Sequence, residues 1–273
     1  MTRGPAASKV ALVTGATRGI GRAIALELAR HNFAVVVTGR TLAEGQGVAP
    51  GSIEGVVSAI HEGGGAALGV RLDLLDRSSI EAAMAATLDR FGRLDVLVNN
   101  GIYQGPEMML PVADFSMTAA EDNFRGMVVN QIYASRLAIA AMRRQGQGRL
   151  VFMGSLAATS APNGHAGLLY AAGKAAFHRI PAYIHYEHAK DGILAFLVEP
   201  QFTMTDTLRA RLGDQAEAIG AGFVARRPEE TARTVAWLAS HPDAARFAGG
   251  ELINAPDFFI QSGVDPRRDG AVN

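Results

Sequence analysis

The chain has 273 residues with equal numbers of acidic and basic side chains, so its formal net charge is zero. This balance gives no overall attraction to nucleic acid or to an acidic membrane surface. The absence of cysteine excludes disulfides, zinc–thiolate sites and a cysteine nucleophile. No apolar segment approaches the roughly 18 residues that span a bilayer, and the apolar run Val10–Val13 is too short for a signal peptide. We therefore predict a soluble, cytoplasmic protein with no metal site, no nucleic-acid partner and no membrane partner.

Short β-branched runs alternate with longer helical patterns along the chain. The predicted strands are Val10–Val13, Ala34–Thr38, Val70–Leu74, Leu94–Val98, Leu150–Met153 and Ile193–Val198. The predicted helices are Gly19–His31, Ile80–Phe91, Leu168–His188 and Pro228–Ser240. Strands that are apolar without strict alternation are buried on both faces, as in a parallel sheet. The order predicts an α/β fold in which helices cover both faces of a doubly wound parallel sheet, a Rossmann fold.

No linker divides the chain, so we predict a single domain over residues 1–273. The stretch Gly45–Gly51 and the segment Gly101–Asn123 are interpreted as long loops within this domain. The charged tail Asp265–Asn273 is expected to be mobile.

A glycine-rich segment, Thr14–Gly21, joins the first strand to the first helix. Its spacing is G-x-x-x-G-x-G, which differs from the G-x-G-x-x-G of the standard dinucleotide fingerprint. Glycine lets the backbone turn sharply and approach a pyrophosphate, and a helix start presents free N–H groups to phosphates. The pattern predicts a dinucleotide site, although a tight glycine turn without a ligand would fit it too. The candidate cofactor-binding residues here are Gly15, Thr17, Arg18, Gly19, Ile20 and Gly21.

The end of the second strand indicates which cofactor is bound. An acidic residue there would hydrogen-bond the ribose 2′-hydroxyl of NAD, but the sequence reads Gly39-Arg40. Arg40 could hold a 2′-phosphate through bidentate, charge-assisted hydrogen bonds, and Arg18 could reach the same phosphate. We therefore predict NADP(H) in preference to NAD(H). The alternative is that one or both arginines are solvated surface residues.

Tyr170 and Lys174 lie four residues apart near the start of a predicted helix, so their side chains share one face. A phenol with a pKa of about 10 is a poor base at neutral pH. A nearby ammonium lowers that pKa, so the pair makes a usable general acid and base. Such a pair also occurs by chance on many helices, and the motif alone is weak.

Two polar residues upstream strengthen this interpretation. Ser155 closes a predicted strand, where a hydroxyl points into the ligand crevice of an open sheet and can donate to a substrate oxygen. Ser160 competes for this role but lies later in the loop. Asn130 lies inside an apolar helical run, where it is either part of the site or a core amide with local partners.

In combination, these motifs resemble the short-chain dehydrogenase/reductase (SDR) family over residues 8–255, which leaves 256–273 as a C-terminal extension. The resemblance rests on the glycine loop, Asp73, Asn99-Asn100-Gly101, Asn130, Ser155, and Tyr170 with Lys174. It implies one Rossmann domain with about seven parallel strands. It also implies a homotetramer, or a dimer, in which the helices of Tyr170 and Asn130 pack against partner subunits.

The resemblance also implies a role for each site residue. Tyr170 would exchange the proton, and Ser155 would polarise the carbonyl. Lys174 would bind the nicotinamide ribose and lower the tyrosine pKa, and Asn130 would hold a water of a proton relay behind this lysine. The remaining implied cofactor contacts are Asp73 and Leu74 at the adenine, Asn99 and Gly101 near the adenosine ribose, and Pro200, Thr203 and Thr205 near the nicotinamide.

The sequence departs from the family pattern at three places. The usual Asn-Asn-Ala-Gly reads Asn99-Asn100-Gly101-Ile102, so the last glycine is lost. The usual Pro-Gly after the sixth strand reads Pro200-Gln201, which adds a side chain beside the expected nicotinamide. The interval from Ser155 to Tyr170 is also longer than is common. None of these changes removes a reacting group.

The sequence therefore predicts an oxidoreductase that transfers a hydride between NADP(H) and a small-molecule carbonyl or secondary alcohol. Apolar side chains in the segments expected around the substrate favour an apolar ketone. They are Met108, Met109, Phe115, Leu156, Leu168, Phe202, Met204 and Leu208, together with His165. An NAD-preferring secondary-alcohol dehydrogenase is the first alternative. A nucleotide-binding sensor or scaffold without turnover is the second.

Overall fold

A parallel sheet of seven strands organises the computed structural model, which describes residues 8–47, 49–162, 166–206, 208, 209, 213 and 224–264. The strand order is β3-β2-β1-β4-β5-β6-β7, and every neighbouring pair is parallel. The strands are β1 (Val10–Val13), β2 (Ala34–Gly39), β3 (Ala67–Arg71), β4 (Val96–Asn99), β5 (Gly148–Met153), β6 (Ile193–Glu199) and β7 (Leu252–Asn254). The predicted doubly wound α/β fold is confirmed.

The helices alternate with these strands. They are α1 (Gly19–Arg30), α2 (Ile53–Glu62), α3 (Arg77–Phe91), α4 (Met117–Phe124), α5 (Asn130–Gln145), α6 (Leu168–His188), α7 (Pro228–Ser240) and α8 (Phe258–Ser262). One π-helical turn, Arg125–Val129, joins α4 to α5. No helix of the described ranges is long and apolar enough to cross a membrane.

Helices bury both faces of the sheet. Ile24 of α1, Ile60 of α2 and Trp237 of α7 pack in one apolar cluster. Met84 of α3, Met142 of α5 and Phe177 of α6 pack in the cluster on the opposite face. Phe258 of α8 is buried in the first cluster, so the beginning of the C-terminal segment packs on the same domain.

Three features differ from the sequence predictions. The third strand is Ala67–Arg71, not Val70–Leu74, because Leu72 and Leu74 are buried in the loop that follows it. The segment Gly101–Asn123 is not a continuous loop, since α4 begins at Met117 and is capped by Ser116, whose hydroxyl accepts from Ala119 N. The short elements α2 and β7 were not predicted. The tail Asp265–Asn273 lies outside the described residues.

The strand order reverses between β1 and β4, which are neighbours in the sheet. At such a switch point the loops that leave the two strands diverge and open a crevice at their carboxyl ends. The glycine loop follows β1, and Ser155 follows β5. The fold therefore places the motifs of the sequence along one edge of the sheet.

Candidate active site

The glycine loop leaves β1 in a conformation that requires glycine. Gly15 has a φ of +64°, and a Cβ there would lie 2.8 Å from Gly101 Cα. A Cβ on Gly21 would lie 2.2 Å from Gly15 O. The first helical residue is Gly19, and the side chain of Arg18 does not cap the helix. The backbone N–H groups of the first turn of α1 thus have no side-chain cap, which suits an anion such as a pyrophosphate.

The side chain of Asn100 fixes the glycine loop through hydrogen bonds, a role that the sequence analysis missed. Its Nδ2 donates to Thr14 O at 2.9 Å and to Gly15 O at 3.2 Å. The Thr14 hydroxyl accepts from Asn100 N at 3.0 Å and Gly101 N at 2.9 Å. Asn99 is buried and donates from Nδ2 to Ser135 Oγ at 3.3 Å. Asn100 therefore ties the end of β4 to the glycine loop, whereas Asn99 ties it to α5. The two successive asparagines were the signal in the sequence.

The two candidate arginines lie close together, although Arg18 belongs to the glycine loop and Arg40 follows β2. Arg40 follows β2 and is exposed, whereas Arg18 donates to Ala49 O at 2.9 Å and to Thr41 Oγ1 at 3.0 Å. Burial lowers the pKa of Arg18, and the charge of Arg40 lowers it further. The two cations are therefore close enough to repel each other, an arrangement that favours an anion between them.

A carboxylate also lies near these arginines, although the end of β2 carries none. Glu44 accepts from Gly51 N at 3.1 Å and from Ser52 Oγ at 3.0 Å. Its charge opposes the lowering of the pKa of Arg18. Sequence reasoning missed it because it lies five residues beyond the strand.

The other expected cofactor contacts lie in the loops after β3 and β6. Asp73 accepts from Leu75 N at 3.0 Å, and Leu74 beside it is buried. The Thr203 hydroxyl donates to Pro200 O at 2.9 Å. Thr205 faces the glycine loop, since a Cβ on Gly19 would lie 3.1 Å from Thr205 Cγ2. Thr17 is buried under its own loop and lies against Gly39, and Ile20 packs on the core.

Gln201, which replaces the family's glycine, keeps a glycine-like backbone with a φ of +55°. Its Nε2 donates to Asn254 Oδ1 at 2.8 Å, and its Oε1 accepts from Arg226 Nε at 3.0 Å. Arg226 also pairs with Asp257 at 2.9 Å. The added side chain is therefore held by the segments around β7, and these contacts stabilise a turn that is strained for a residue with a Cβ.

Ser155 and Tyr170 are brought together at the carboxyl end of β5. Their hydroxyls share a hydrogen bond. Ser155 N donates to His178 Nε2 at 3.0 Å, and Ser155 Oγ accepts from Ala157 N at 3.2 Å. Ser160, the competing serine, is exposed. The geometry thus joins Tyr170 to Ser155.

Lys174 is 4% exposed, and its Nζ donates to Met153 O at 2.6 Å. This nitrogen lies 6.0 Å from the centroid of the Tyr170 ring. Burial lowers the pKa of Lys174 to about 8, and the charge of Glu199 partly offsets this effect. Near neutral pH Lys174 is therefore charged, with its ammonium close to the tyrosine.

The pKa of Tyr170 departs from the sequence expectation. Burial raises it, the hydrogen bond from Ser155 lowers it and the charge of Glu199 raises it. The net lowering of this pKa that the sequence predicts is therefore not found in the polypeptide alone, because desolvation of the phenolate dominates. At neutral pH Tyr170 is protonated and can act as a proton donor.

Asn130, expected behind Lys174, has two described side-chain partners, and neither of them is Lys174. Its Nδ2 donates to Leu74 O at 2.6 Å, and its Oδ1 accepts from Arg77 Nε at 3.0 Å. Neither contact involves Lys174, so the geometry fits the alternative of a core amide with local partners. The π-helical turn before α5 changes the helical register by about one residue, which sequence spacing cannot reveal.

Two other buried amides lie near the site. Gln131 donates from Nε2 to Gly101 O at 2.6 Å. Asn123 of α4 lies against α6, where a Cβ on Gly173 would be 3.2 Å from its Oδ1, and its amide has no partner among the described residues. Sequence analysis missed both residues, since an isolated asparagine or glutamine carries little signal.

The candidate substrate-side residues divide into two groups. Leu156 and Leu168, which lie between Ser155 and Tyr170 in the sequence, are each about half exposed. Met108 is buried and packs with Phe115 against Leu169 and Tyr170. Met109 is exposed, and Phe202, Met204 and Leu208 are half-buried. His165 lies outside the described residues.

Comparisons with known proteins support this geometry. Residues 9–216 match the model of the family described as short chain dehydrogenase. The chain is 33% identical to the short-chain reductase protein NovJ of Streptomyces niveus, over 88% of this chain and 90% of NovJ. It is also 33% identical to the 3-oxoacyl-[acyl-carrier-protein] reductase FabG of Escherichia coli, over 90% of this chain and 95% of FabG.

A solved structure of actinorhodin polyketide ketoreductase with NADPH superposes with a TM-score of 0.79 at 26% identity, covering 92% of this chain and 97% of that one. The family match covers the residues from the glycine loop to Lys174. The chain belongs to the short-chain dehydrogenase family and is an NAD(P)-dependent oxidoreductase acting on C=O or CH–OH groups.

Proposed function

We propose that this oxidoreductase uses NADPH to reduce an apolar ketone to a secondary alcohol. The observation that carries the proposal is the hydrogen bond between the Ser155 and Tyr170 hydroxyls beside a buried Lys174. Burial raises the pKa of Tyr170, so its hydroxyl keeps a proton at neutral pH. A proton donor is what a carbonyl oxygen needs during reduction.

Three side chains would carry the proton chemistry. The chemistry that NADPH supplies when bound is hydride donation. Ser155 donates a hydrogen bond to the carbonyl oxygen, and Tyr170 gives that oxygen its proton as negative charge develops there. Lys174 is positively charged below its pKa of about 8, and this charge stabilises the remaining tyrosinate. In this account Asn130 is a structural amide rather than a member of the relay.

The residues present fit the cofactor. Gly15 and Gly21 must be glycines, because a Cβ at either position would collide with neighbouring backbone. Without side chains at these positions, a pyrophosphate can approach the backbone of the loop closely. We assign the pyrophosphate to Gly15, Thr17, Gly19, Ile20 and Gly21, the 2′-phosphate to Arg18 and Arg40, and the adenine to Asp73 and Leu74. We assign the adenosine ribose to Asn99 and Gly101, and the nicotinamide side to Tyr170, Lys174, Pro200, Thr203 and Thr205.

The proximity of Arg18 and Arg40 supports NADP(H) over NAD(H). The two relatives above are named as reductases, and the actinorhodin ketoreductase structure contains NADPH. The second candidate, an NAD-preferring dehydrogenase working in the oxidative direction, is favoured by Glu44, whose charge acts on Arg18.

Assays of cofactor oxidation over a panel of aromatic ketones, cyclic ketones and diketones test the proposed function. We expect turnover with NADPH at a kcat/KM at least about tenfold above that with NADH, since a charge-assisted hydrogen bond contributes about 1.5–3 kcal/mol. The opposite cofactor ratio would support the second candidate. Binding of NADPH without turnover of any ketone would favour a sensor or scaffold.

An apolar substrate is supported by the half-exposed Leu156 and Leu168, which are close in sequence to Ser155 and Tyr170. An apolar pocket of about 400 Å³ also lies between α4 and α6, but Tyr170 is not among its lining residues. We therefore do not assign that pocket to the substrate.

We also propose that the protein is a homo-oligomer, either a tetramer or a dimer. A groove of about 650 Å³ between α5 and α6 is lined by Ile132, Ile139, Ile180 and Tyr183. Ile132 is 48% exposed and Tyr183 is 58% exposed, and an exposed apolar patch of this kind suits a subunit contact.

We also propose that the protein is located in the cytoplasm.

A further inference from the structure

A buried glutamate, Glu199, acts through its charge on both Tyr170 and Lys174. Glu199 is the last residue of β6 and is only 4% exposed. Because side chains alternate along a strand, it shares a face of the sheet with Leu197, which packs in the same cluster as Phe177 of α6. Glu199 therefore lies on the face of the sheet that carries the catalytic helix.

The two oxygens of this carboxyl group have different surroundings. Oε1 accepts from Gln201 N at 2.9 Å. Oε2 is buried and has no hydrogen-bond partner among the described residues. The left-handed turn at Gln201, with its φ of +55°, directs the donating N–H, and Asn254 and Arg226 hold the side chain of that turn. A buried carboxyl held by one amide requires a compensating charge when it ionises.

Lys174 supplies that charge. Its Nζ donates to Met153 O, and Met153 pairs in register with Val198, the residue before Glu199, so the lysine lies at the same end of the sheet as Glu199. In the described part of the chain no carboxylate lies within ion-pair distance of Lys174, so Glu199 acts on it over a longer distance. Glu199 raises the pKa of Lys174, and Lys174 lowers the pKa of Glu199. Burial acts against both effects, which leaves the pKa of Glu199 at about 7 and that of Lys174 at about 8.

We propose that Glu199 is a positioning residue for Lys174: its carboxylate, fixed by the Gln201 amide, is the counter-charge that keeps the lysine protonated beside Tyr170. The kinetic part of this inference rests on the proposed reductase function. The side chain of Asn130 is bonded to Leu74 and Arg77. Glu199 thus supplies a negative charge that acts on the lysine and that the family motifs do not contain.

The other charged groups around this pair do not replace Glu199. His178 of α6 accepts from Ser155 N, and both burial and Lys174 lower its pKa, so it is neutral at physiological pH. Arg226 and Asp257 reach the site only through Gln201 and pair with each other at 2.9 Å. Tyr170 is neutral until its raised pKa is reached. Of these groups, Glu199 and Lys174 are therefore the two whose charges change near neutral pH, with pKa values of about 7 and about 8.

The charge state of Glu199 changes the pKa of Lys174 and that of Tyr170 in the same direction. Below its pKa of about 7 Glu199 is protonated and resembles glutamine in charge. Above that pH its carboxylate raises the pKa of both Lys174 and Tyr170. Glu199→Gln removes both effects, so Lys174 and Tyr170 lose their protons at lower pH. The alkaline limb of the reduction rate should therefore move to lower pH.

Ketone reduction by the wild type and by Glu199→Gln across the pH range tests the kinetic part. We expect the alkaline limb to shift down by roughly one unit, so that the ratio of wild-type to variant rates grows up to about tenfold as the pH rises. Glu62→Gln, which changes an exposed carboxylate at the end of α2, is the matched control and should give the wild-type profile. A rate ratio that is the same at every pH would indicate a structural role only and would overturn the proposal.

Infrared titration of the protein without substrate tests the coupling separately from turnover. The carbonyl stretch of one protonated carboxyl should disappear as the pH rises through about 7 in the wild type, be missing in Glu199→Gln and persist in Glu62→Gln. Lys174→Met should move the midpoint of this band to higher pH, whereas Lys174→Arg, which keeps the charge, should leave it in place. The proposal fails if Glu199→Gln removes no such band, or if Lys174→Met leaves its midpoint unchanged.

Discussion

Replacing the tyrosine hydroxyl by hydrogen (Tyr170→Phe) should lower the turnover number for ketone reduction by about a thousandfold or more, since a positioned general acid contributes roughly 10²–10⁴. The phenyl ring remains and keeps its packing against Met108 and Leu169. The affinity for NADPH should therefore stay within about threefold of the wild type. Steady-state kinetics measures the first effect, and the fluorescence of bound NADPH measures the second.

Tyr186→Phe is the matched control for this variant. Tyr186 lies on the same helix but is 86% exposed, so loss of its hydroxyl should not change the rate. Wild-type turnover by Tyr170→Phe would show that another group donates the proton. Loss of both turnover and NADPH binding would instead point to a damaged cofactor cleft.

Reversing the charge at the end of β2 (Arg40→Asp) should weaken NADPH binding by about tenfold to a hundredfold, because a charge-assisted hydrogen bond contributes about 1.5–3 kcal/mol. Arg40 is exposed, so the change removes a charge and leaves the core intact. NADH lacks the 2′-phosphate, and its affinity should stay equal or rise. Titration calorimetry with both cofactors measures the two affinities.

Arg90→Asp makes the same charge change at the end of α3, away from the glycine loop, and controls for the altered net charge. We expect it to bind both cofactors as the wild type does at moderate ionic strength. If Arg40→Asp kept its NADPH affinity, the assignment of the 2′-phosphate to Arg40 would be wrong. Arg18 would then have to be tested alone.

The sheet and the longest helices could be predicted because their patterns are strong. The helices α6 and α7 have the predicted bounds, Leu168–His188 and Pro228–Ser240. Apolar runs without strict alternation predicted a parallel sheet. The third strand was misplaced because burial of Leu72 and Leu74 in a loop produces the same apolar signal as a strand.

The site could be predicted where the position of a residue on one element determines its place. Tyr170 and Lys174 share a helix face, and Ser155 was predicted from its position at the end of a strand. The contacts of the Asn130 side chain with Leu74 and Arg77 could not be predicted, because the π-helical turn Arg125–Val129 shifts the register of α5. The raised pKa of Tyr170 was missed because desolvation depends on packing from several elements.

Glu199 is a further residue whose role could not be predicted from the sequence. In the sequence it is one acidic residue at the end of an apolar run, which usually marks the end of a strand at the surface. Only the folded chain shows that the residue is 4% exposed and acts on Lys174. The contact from Gln201 N depends on a left-handed turn that the dipeptide Pro200-Gln201 does not predict.

The most direct test of the central claim is isotope transfer from NADPH deuterated at the reactive nicotinamide carbon. With a ketone that the wild type reduces, the product alcohol should carry deuterium on its carbinol carbon by mass spectrometry. The same reaction with Tyr170→Phe should give no product above background. An alcohol without deuterium, or labelled alcohol from Tyr170→Phe at the wild-type rate, would contradict hydride transfer to a carbonyl that Tyr170 protonates.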